Sequence, residues 1–369
     1  MEQGKASKIL KIGNFPHIKP VYVGGDRPVV IQTMWKDRLS VSDLDNAAVK
    51  IEALGALGCG ILRFAVPDIE AAEVIGRLAE MVSMPICADI HFDYKIALRC
   101  MDFPISKVRI NPGNIGDSEK VRSVLEKAAN KGIPLRIGVN AGSLPLDLRE
   151  KVEQGLSTAD ALAQAAEREI SVFEKFGFTE FLVSMKASTI ADTINANKIL
   201  RLRAPTILLH VGVTEAGPLT AGVVRNTAAL LTLLAEGIGD TIRVSLSDTM
   251  ENEVIAGREI VAAAAQLSPE NVKLMTRGVN IVSCPRCGRH GFDTHGFTSR
   301  WLQRLYALDK DITVAIMGCE VNGPIEAKHA DLGITGAGDK VLIFKHGKVI
   351  KTITAAEADT VFEEELRIL

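Results

Sequence analysis

"KVRINPGNIGDSEKVRSVLEKAANKGIPLRIGV", residues 107–139, sets two short β-branched runs around one amphipathic stretch. Lys107–Ile110 and 135–139 read as strands, and Ser118–Lys131 carries its apolar residues at helical spacing. The same unit recurs outward in both directions. Further strands are expected at 29–34, 61–66, 85–90, 180–184, 207–211 and 242–246, with helices at 43–57, 158–176 and 219–236. Eight βα units in series predict a (β/α)8 TIM barrel. A doubly wound open sheet is the alternative, but no glycine-rich GxGxxG follows the first strand.

The pattern changes after the helix at 251–266. Residues 1–267 are read as the barrel domain with an N-terminal extension, and 268–369 as a smaller α/β domain. In the latter, strands are expected at 312–317 and 331–336. A hairpin at 340–353 turns at His346–Gly347, and helices are expected at 299–308 and 355–369.

Composition narrows the class. The chain has 369 residues, 47% hydrophobic and 5% aromatic, with formal net charge −2. So few aromatics and no basic excess argue against nucleic-acid binding. The N-terminus has no signal-peptide core, and the longest apolar run, "AALLTLLA", is too short to span a bilayer. Six cysteines are too few for a disulfide scaffold. A soluble, reduced, cytoplasmic protein is expected.

Strand alternation decides which side chains share a face. Leu62, Phe64 and Val66 oppose Arg63; Val108 and Ile110 oppose Arg109 and Asn111; Leu135, Ile137 and Val139 oppose Arg136, Gly138 and Asn140. Ile242, Val244 and Leu246 oppose Arg243 and Ser245. The same parity groups Cys87, Asp89 and His91, then Ser184 and Lys186, then His210. The apolar sets pack on the helices, so the polar sets line the barrel. Four arginines and a lysine inside a barrel are costly without anions, and Asp89 offsets only part of that charge. For any single arginine a structural ion pair accounts equally well. For five cations of shared parity, a phosphate or diphosphate ligand is the better explanation. Glu215, in "HVGVTEAG" after the seventh strand, is a candidate general acid there.

"SCPRCGR", residues 283–289, supplies Cys284 and Cys287, and "MGCEVNGPIEAKHADLG" supplies Cys319. Three cysteines fit neither a four-cysteine zinc site nor a dithiol oxidoreductase cleanly. They can hold three corners of a [4Fe–4S] cluster, with Glu320, Glu326 or His329 as fourth donor. A Cys3His zinc site with His329 or His290 remains the alternative. Cys59, Cys87 and Cys100 lie in apolar surroundings and read as buried thiols.

Together these segments resemble the bacterial 4-hydroxy-3-methylbut-2-enyl diphosphate synthase family, iron–sulfur enzymes of the methylerythritol phosphate route to isoprenoids. The resemblance spans nearly the whole chain, through "ADIHFDYKIAL", "VRINPGNIGD", "RIGVNAGSL", "VSMKAS", "LHVGVTEAG", "EGIGDTIRVSL", "SCPRCGR" and "MGCEVNGPIEAKHADLGITG". It implies reductive ring opening of 2-C-methyl-D-erythritol 2,4-cyclodiphosphate with loss of water, using electrons from flavodoxin or ferredoxin. It implies a [4Fe–4S] cluster on Cys284, Cys287, Cys319 and Glu326. The cyclodiphosphate-binding cations fall on Arg63, Arg109, Arg136 and Lys186, and Glu215 takes a proton-transfer role. Asp89, His91, Asn111, Asn140 and His210 join them as candidate substrate-binding residues.

Three positions depart from the family pattern: Trp35 in the first βα loop, Arg286 between the paired cysteines, and Ile325 where the family has glycine. A branched residue at 325 implies a different local backbone. Chain direction also bears on assembly. A helix over 251–266 retreats about 24 Å from the mouth, so the cysteine-bearing domain is expected to start near the opposite end. A homodimer with composite active sites follows, each cluster serving the partner's barrel, as the resemblance also implies. Two rivals are an iron–sulfur barrel acting on another phosphorylated polyol and a zinc-stapled phosphate-binding barrel.

Overall fold

The computed structural model describes residues 8–274 and 278–369. The chain divides into two compact units, Met1–Thr276 and Arg277–Leu369.

The first unit opens with an antiparallel hairpin, β1 (Ile9–Ile12) and β2 (Val21–Gly24). Eight parallel strands then close into a barrel. They are β3 (Val30–Met34), β4 (Ile61–Ala65), β5 (Ile86–Asp89), β6 (Lys107–Ile110), β7 (Leu135–Asn140), β8 (Phe181–Lys186), β9 (Leu208–Val211) and β10 (Thr241–Ile242). Each is followed by a helix on the outside, as right-handed βα crossovers require. The unit from Lys107 to Val139 shows the local causes. Asp117 caps its helix by accepting from Lys120 N, and Gly132 ends it in the left-handed conformation (φ 63°) that glycine adopts without steric cost.

The hairpin, absent from the sequence reading, seals one end of the barrel. Leu10, Ile12 and Val23 pack on Ile61, Leu182 and Leu208 near the amino-terminal ends of their strands. That end is filled by apolar side chains, so polar side chains further along the strands are left facing the opposite, carboxyl-terminal mouth. The eighth strand corrects another expectation. It stops at Ile242 instead of continuing to Leu246, because residues 243–246 take their hydrogen bonds largely from side chains outside the ladder.

In the second unit, five strands lie in the order β11 (Asn280–Ser283), β12 (Thr313–Met317), β13 (Leu332–Ala337), β14 (Lys340–Lys345) and β15 (Lys348–Ile353). The first three are parallel and the last two antiparallel. Helices Thr294–Tyr306 and Ala358–Ile368 bury Phe297, Trp301 and Phe362 against one face. Trp301 and Phe362 meet edge to face at 5.0 Å. The hairpin turns at His346 and Gly347, both with positive φ, the geometry that matches strand twist. β11 was not foreseen. Among the described residues, no helix is long and apolar enough to cross a membrane.

Candidate active site

The parity read from the sequence holds in the barrel. Arg63, Arg109, Arg136 and Lys186 are all buried, between 2% and 9% exposed, on four different strands. Arg243 follows β10, and Lys107, two residues before Arg109, adds a sixth cation that is fully buried. Lys107 shares Arg109's parity, so that alternation was the signal that could have found it. Two buried carboxylates oppose these six cations, Asp89 and Glu253.

Asp89, at the end of β5, gathers the first group. Its Oδ1 accepts from Arg109 Nη1 at 3.0 Å, and its Oδ2 lies 3.5 Å from Arg63 Nε. Burial pushes this carboxyl up, but a hydrogen bond from His91 and the guanidiniums of Arg63, Arg109 and Arg136 outweigh it. The carboxyl sits well below the usual range. Arg109 also contacts His91 Nε2 at 2.9 Å and donates to Gly138 O at 3.4 Å.

The remaining cations show the strain of crowding. Burial, then Arg63 and Arg109, pushes Arg136 down to about 9. Burial pushes Lys107 down to about 8, aided by Arg136 and Arg63. Burial and the surrounding arginines hold Lys186 well below the usual ammonium range. Lys107 donates to Gln32 Oε1 at 2.7 Å. Several buried donors have no partner among the described residues: Arg109 Nε, Arg136 Nε and Nη1, and Arg243 Nε. Buried N–H groups are nearly always hydrogen-bonded, so this set marks a place for acceptors.

A cavity of about 940 Å3 opens on this cluster, lined in part by His91, Arg109, Asn111, Asn140, Lys186 and Glu215. Arg63, Asp89, Lys107, Arg136, His210 and Arg243 are not in its wall. His210 is wholly buried, shares a hydrogen bond with Thr241 Oγ1 at 2.7 Å, and is kept neutral by burial and nearby cations. Glu215 is held in the left-handed region (φ 53°), rare for a residue with a side chain, and accepts from Ser188 Oγ at 3.2 Å. Trp35 stacks on Phe64 at 5.5 Å and lines a separate hollow of about 200 Å3.

In the second unit the register brings the cysteine segments together. Ser283 pairs with Ile316, and Cys284 N donates to Ile316 O at 3.0 Å. Cys284 and Cys319 thus leave the carboxyl ends of adjacent parallel strands. A Cβ at Gly318, next to Cys319, would lie 3.8 Å from Cys284 Sγ. Cys287 is exposed, Cys284 half-buried and Cys319 buried. No three potential ligands among the described residues already stand in ion-coordinating geometry. The donor set itself, three soft thiols on two neighbouring loops, fits an iron–sulfur cluster. Glu326 ends a single π-helical turn, Val321–Glu326, a form frequent at functional sites. Ile325 is exposed and has no positive φ, so the branched side chain is accommodated by that turn. Arg286 does adopt positive φ (74°) and pairs with Asp293.

Fold and site define a class: a TIM-barrel protein with excess buried cations at its mouth, joined to a unit bearing three cysteines on strand-end loops. The chain belongs to the GcpE, or 4-hydroxy-3-methylbut-2-en-1-yl diphosphate synthase, family. The model of the GcpE TIM-barrel domain matches residues 16–258, and that of the GcpE C-terminal domain matches 280–368. Proteins named 4-hydroxy-3-methylbut-2-en-1-yl diphosphate synthase (flavodoxin) are similar throughout. The one from Treponema denticola is 47% identical, covering 100% of both chains. That from Treponema pallidum is 48% identical over 98% of this chain and 92% of its own. That from Caldicellulosiruptor saccharolyticus is 42% identical over 98% and 97%.

Proposed function

We propose that this protein catalyses the two-electron reductive ring opening and dehydration of 2-C-methyl-D-erythritol 2,4-cyclodiphosphate to 4-hydroxy-3-methylbut-2-enyl diphosphate, supplying isoprenoid precursors. The observation that carries the reading is the excess of buried cations, several with unpartnered N–H groups, in a barrel whose cavity Arg109 and Lys186 line, in a chain similar end to end to enzymes of that name. Arg109, Arg136 and Lys186 would take the diphosphate oxygens, with Arg63 held beside them by Asp89. Asn111 and Asn140 would orient the polyol, with His91 at the cavity rim and His210 beneath. Preorganised cations stabilise a diphosphate leaving from carbon without reorganising at the moment of reaction. Glu215, lining the same cavity, would deliver the proton that lets a hydroxyl depart as water.

Cys284, Cys287, Cys319 and Glu326 would hold a [4Fe–4S] cluster. When bound, that cluster supplies single electrons, passed to it from flavodoxin or ferredoxin, to the carbon–oxygen bond being broken. A homodimer with composite active sites belongs to the same proposal, supported by the family resemblance. Mixing Arg109→Ala chains with Cys319→Ala chains should then restore turnover that neither has alone. The test of the reaction is anaerobic turnover of the cyclodiphosphate with reduced flavodoxin. Appearance of the linear allylic diphosphate supports it. Turnover of another phosphorylated polyol alone would favour a diverged paralogue.

A further inference from the structure

The barrel closes on its shortest strand. β10 holds only Thr241 and Ile242, and one further ladder bond follows, from Arg243 N to Val211 O at 3.1 Å. Residues 243–249 then run without a regular ladder, although this segment carries one of the six cations. Backbone groups there must find partners elsewhere. Asn226 serves Ser245, donating to its carbonyl at 3.2 Å and accepting from its N–H at 3.4 Å.

Glu253 does more. It lies in the first turn of helix Met250–Leu267, is 1% exposed, and accepts from four donors on two segments distant in sequence. Its Oε1 accepts from Leu246 N at 3.0 Å, Arg243 Nη2 at 3.1 Å and Lys36 Nζ at 2.8 Å. Its Oε2 accepts from Thr33 Oγ1 at 2.5 Å. Lys36 also donates to Leu246 O at 2.8 Å, which ties the segment after β3 to the segment after β10. Arg243 is therefore gripped by one terminal nitrogen, while its Nε has no partner among the described residues. An arginine anchored at one nitrogen and unsatisfied at another is prepared for a second anion.

We propose that Glu253 is a positioning residue for the reaction. It sets Arg243 in the orientation that receives a phosphate oxygen, while Thr33 and Lys36 hold the carboxylate itself in place. This rests on the diphosphate reading of the cation cluster.

The test is a double-mutant cycle on cyclodiphosphate affinity, measured by calorimetry on the intact protein. Arg243→Ala should weaken binding about 30-fold or more, the scale for truncating one partner of a buried charge pair. Glu253→Gln, which keeps the shape and removes the charge, should weaken it about 5- to 20-fold. Combined with Arg243→Ala it should add less than about twofold, because its effect runs through that arginine. Glu253→Asp keeps the charge but withdraws it by one methylene. Should the glutamine variant fail to fold, the aspartate variant should show the same non-additivity. Losses that multiply in the double variant would overturn the proposal, since Glu253 would then act independently of Arg243. Normal affinity in Glu253→Gln beside a weakened Arg243→Ala would overturn the positioning role and leave the diphosphate reading standing. Normal affinity in Arg243→Ala would remove Arg243 from that reading and the inference with it.

Discussion

The guanidinium of Arg109 occupies the space that a side chain at Gly138 would fill. A Cβ built on Gly138 lands on Arg109 Nε, Nη2 and Cζ, so the glycine is required there for room and not for an unusual φ. Gly138→Ala should therefore displace Arg109 from Asp89 and from the cavity wall. The expected result is a loss of cyclodiphosphate affinity of about tenfold or more, with a folding cost of about 1–3 kcal/mol from overpacking. Calorimetry and thermal unfolding on one preparation would separate the two.

Asp89→Asn should expose the repulsion that this carboxylate offsets. Leaving Arg63 and Arg109 without their buried counter-charge should destabilise the ligand-free protein by about 3–5 kcal/mol at neutral pH. The folded-state pKa of Asp89 lies below its unfolded value. Its contribution is thus complete above about pH 4 to 5 and is lost as pH falls further toward the folded value. Chemical unfolding against pH should show a smaller decline below about pH 4 in the variant than in the parent.

Lys107 gives a pH slope of the same direction for a different reason, because its charged form is the one that burial disfavours. Its pKa falls from 10.5 when exposed to about 8 in the fold. Between those values the unfolded chain binds more protons, so stability rises with pH across that window. Below it, the penalty of a buried, crowded ammonium is felt in full. Lys107→Met should accordingly stabilise the ligand-free protein by about 1–3 kcal/mol at pH 7. It should gain nothing above about pH 10.5. A lower melting temperature at pH 7 would show that the bond to Gln32 outweighs the repulsion.

The six cysteines should separate into two classes. Burial pushes the Cys59 and Cys100 thiols up to about 12, which leaves them protonated and inert. Replacing Cys59, Cys87 or Cys100 by alanine should leave iron and sulfide content after anaerobic reconstitution unchanged. Cys284→Ser, Cys287→Ser and Cys319→Ser should each lose most of it, because each removes one thiolate corner. Full iron in Cys319→Ser would overturn the ligand set. Zinc in place of iron in the parent protein would favour the zinc-stapled alternative.

Much of this was legible in the sequence, for a physical reason. A strand's period of two is rigid, so Arg63, Arg109, Arg136 and Lys186 could be assigned to one face from their alternation with leucine, isoleucine and valine alone. Lys107 obeyed the same rule and was passed over only because it begins its strand. Glu253 carried no local signal. It meets Thr33 across 220 positions of sequence, and only closure of the barrel brings the two together. The hairpin of β1 and β2 is hidden similarly, since its strands are only four residues long and bury Leu10, Ile12 and Val23 only once the barrel end exists. Alternation continues past the end of β10 because residues 243–246 keep the strand pattern, while the N–H groups of Ser245 and Leu246 go to Asn226 and Glu253 instead of the ladder.

On the proposed reading, the cyclic diphosphate sits on the buried cations of the barrel. The most direct measurement is a crystal structure of the protein grown anaerobically with 2-C-methyl-D-erythritol 2,4-cyclodiphosphate. Phosphate oxygens should lie within hydrogen-bond distance of Arg109, Arg136 and Lys186, occupying the N–H groups that lack partners among the described residues. Glu215 should face the polyol. A ligand bound elsewhere, with those guanidiniums instead satisfied by water or by other side chains, would contradict it.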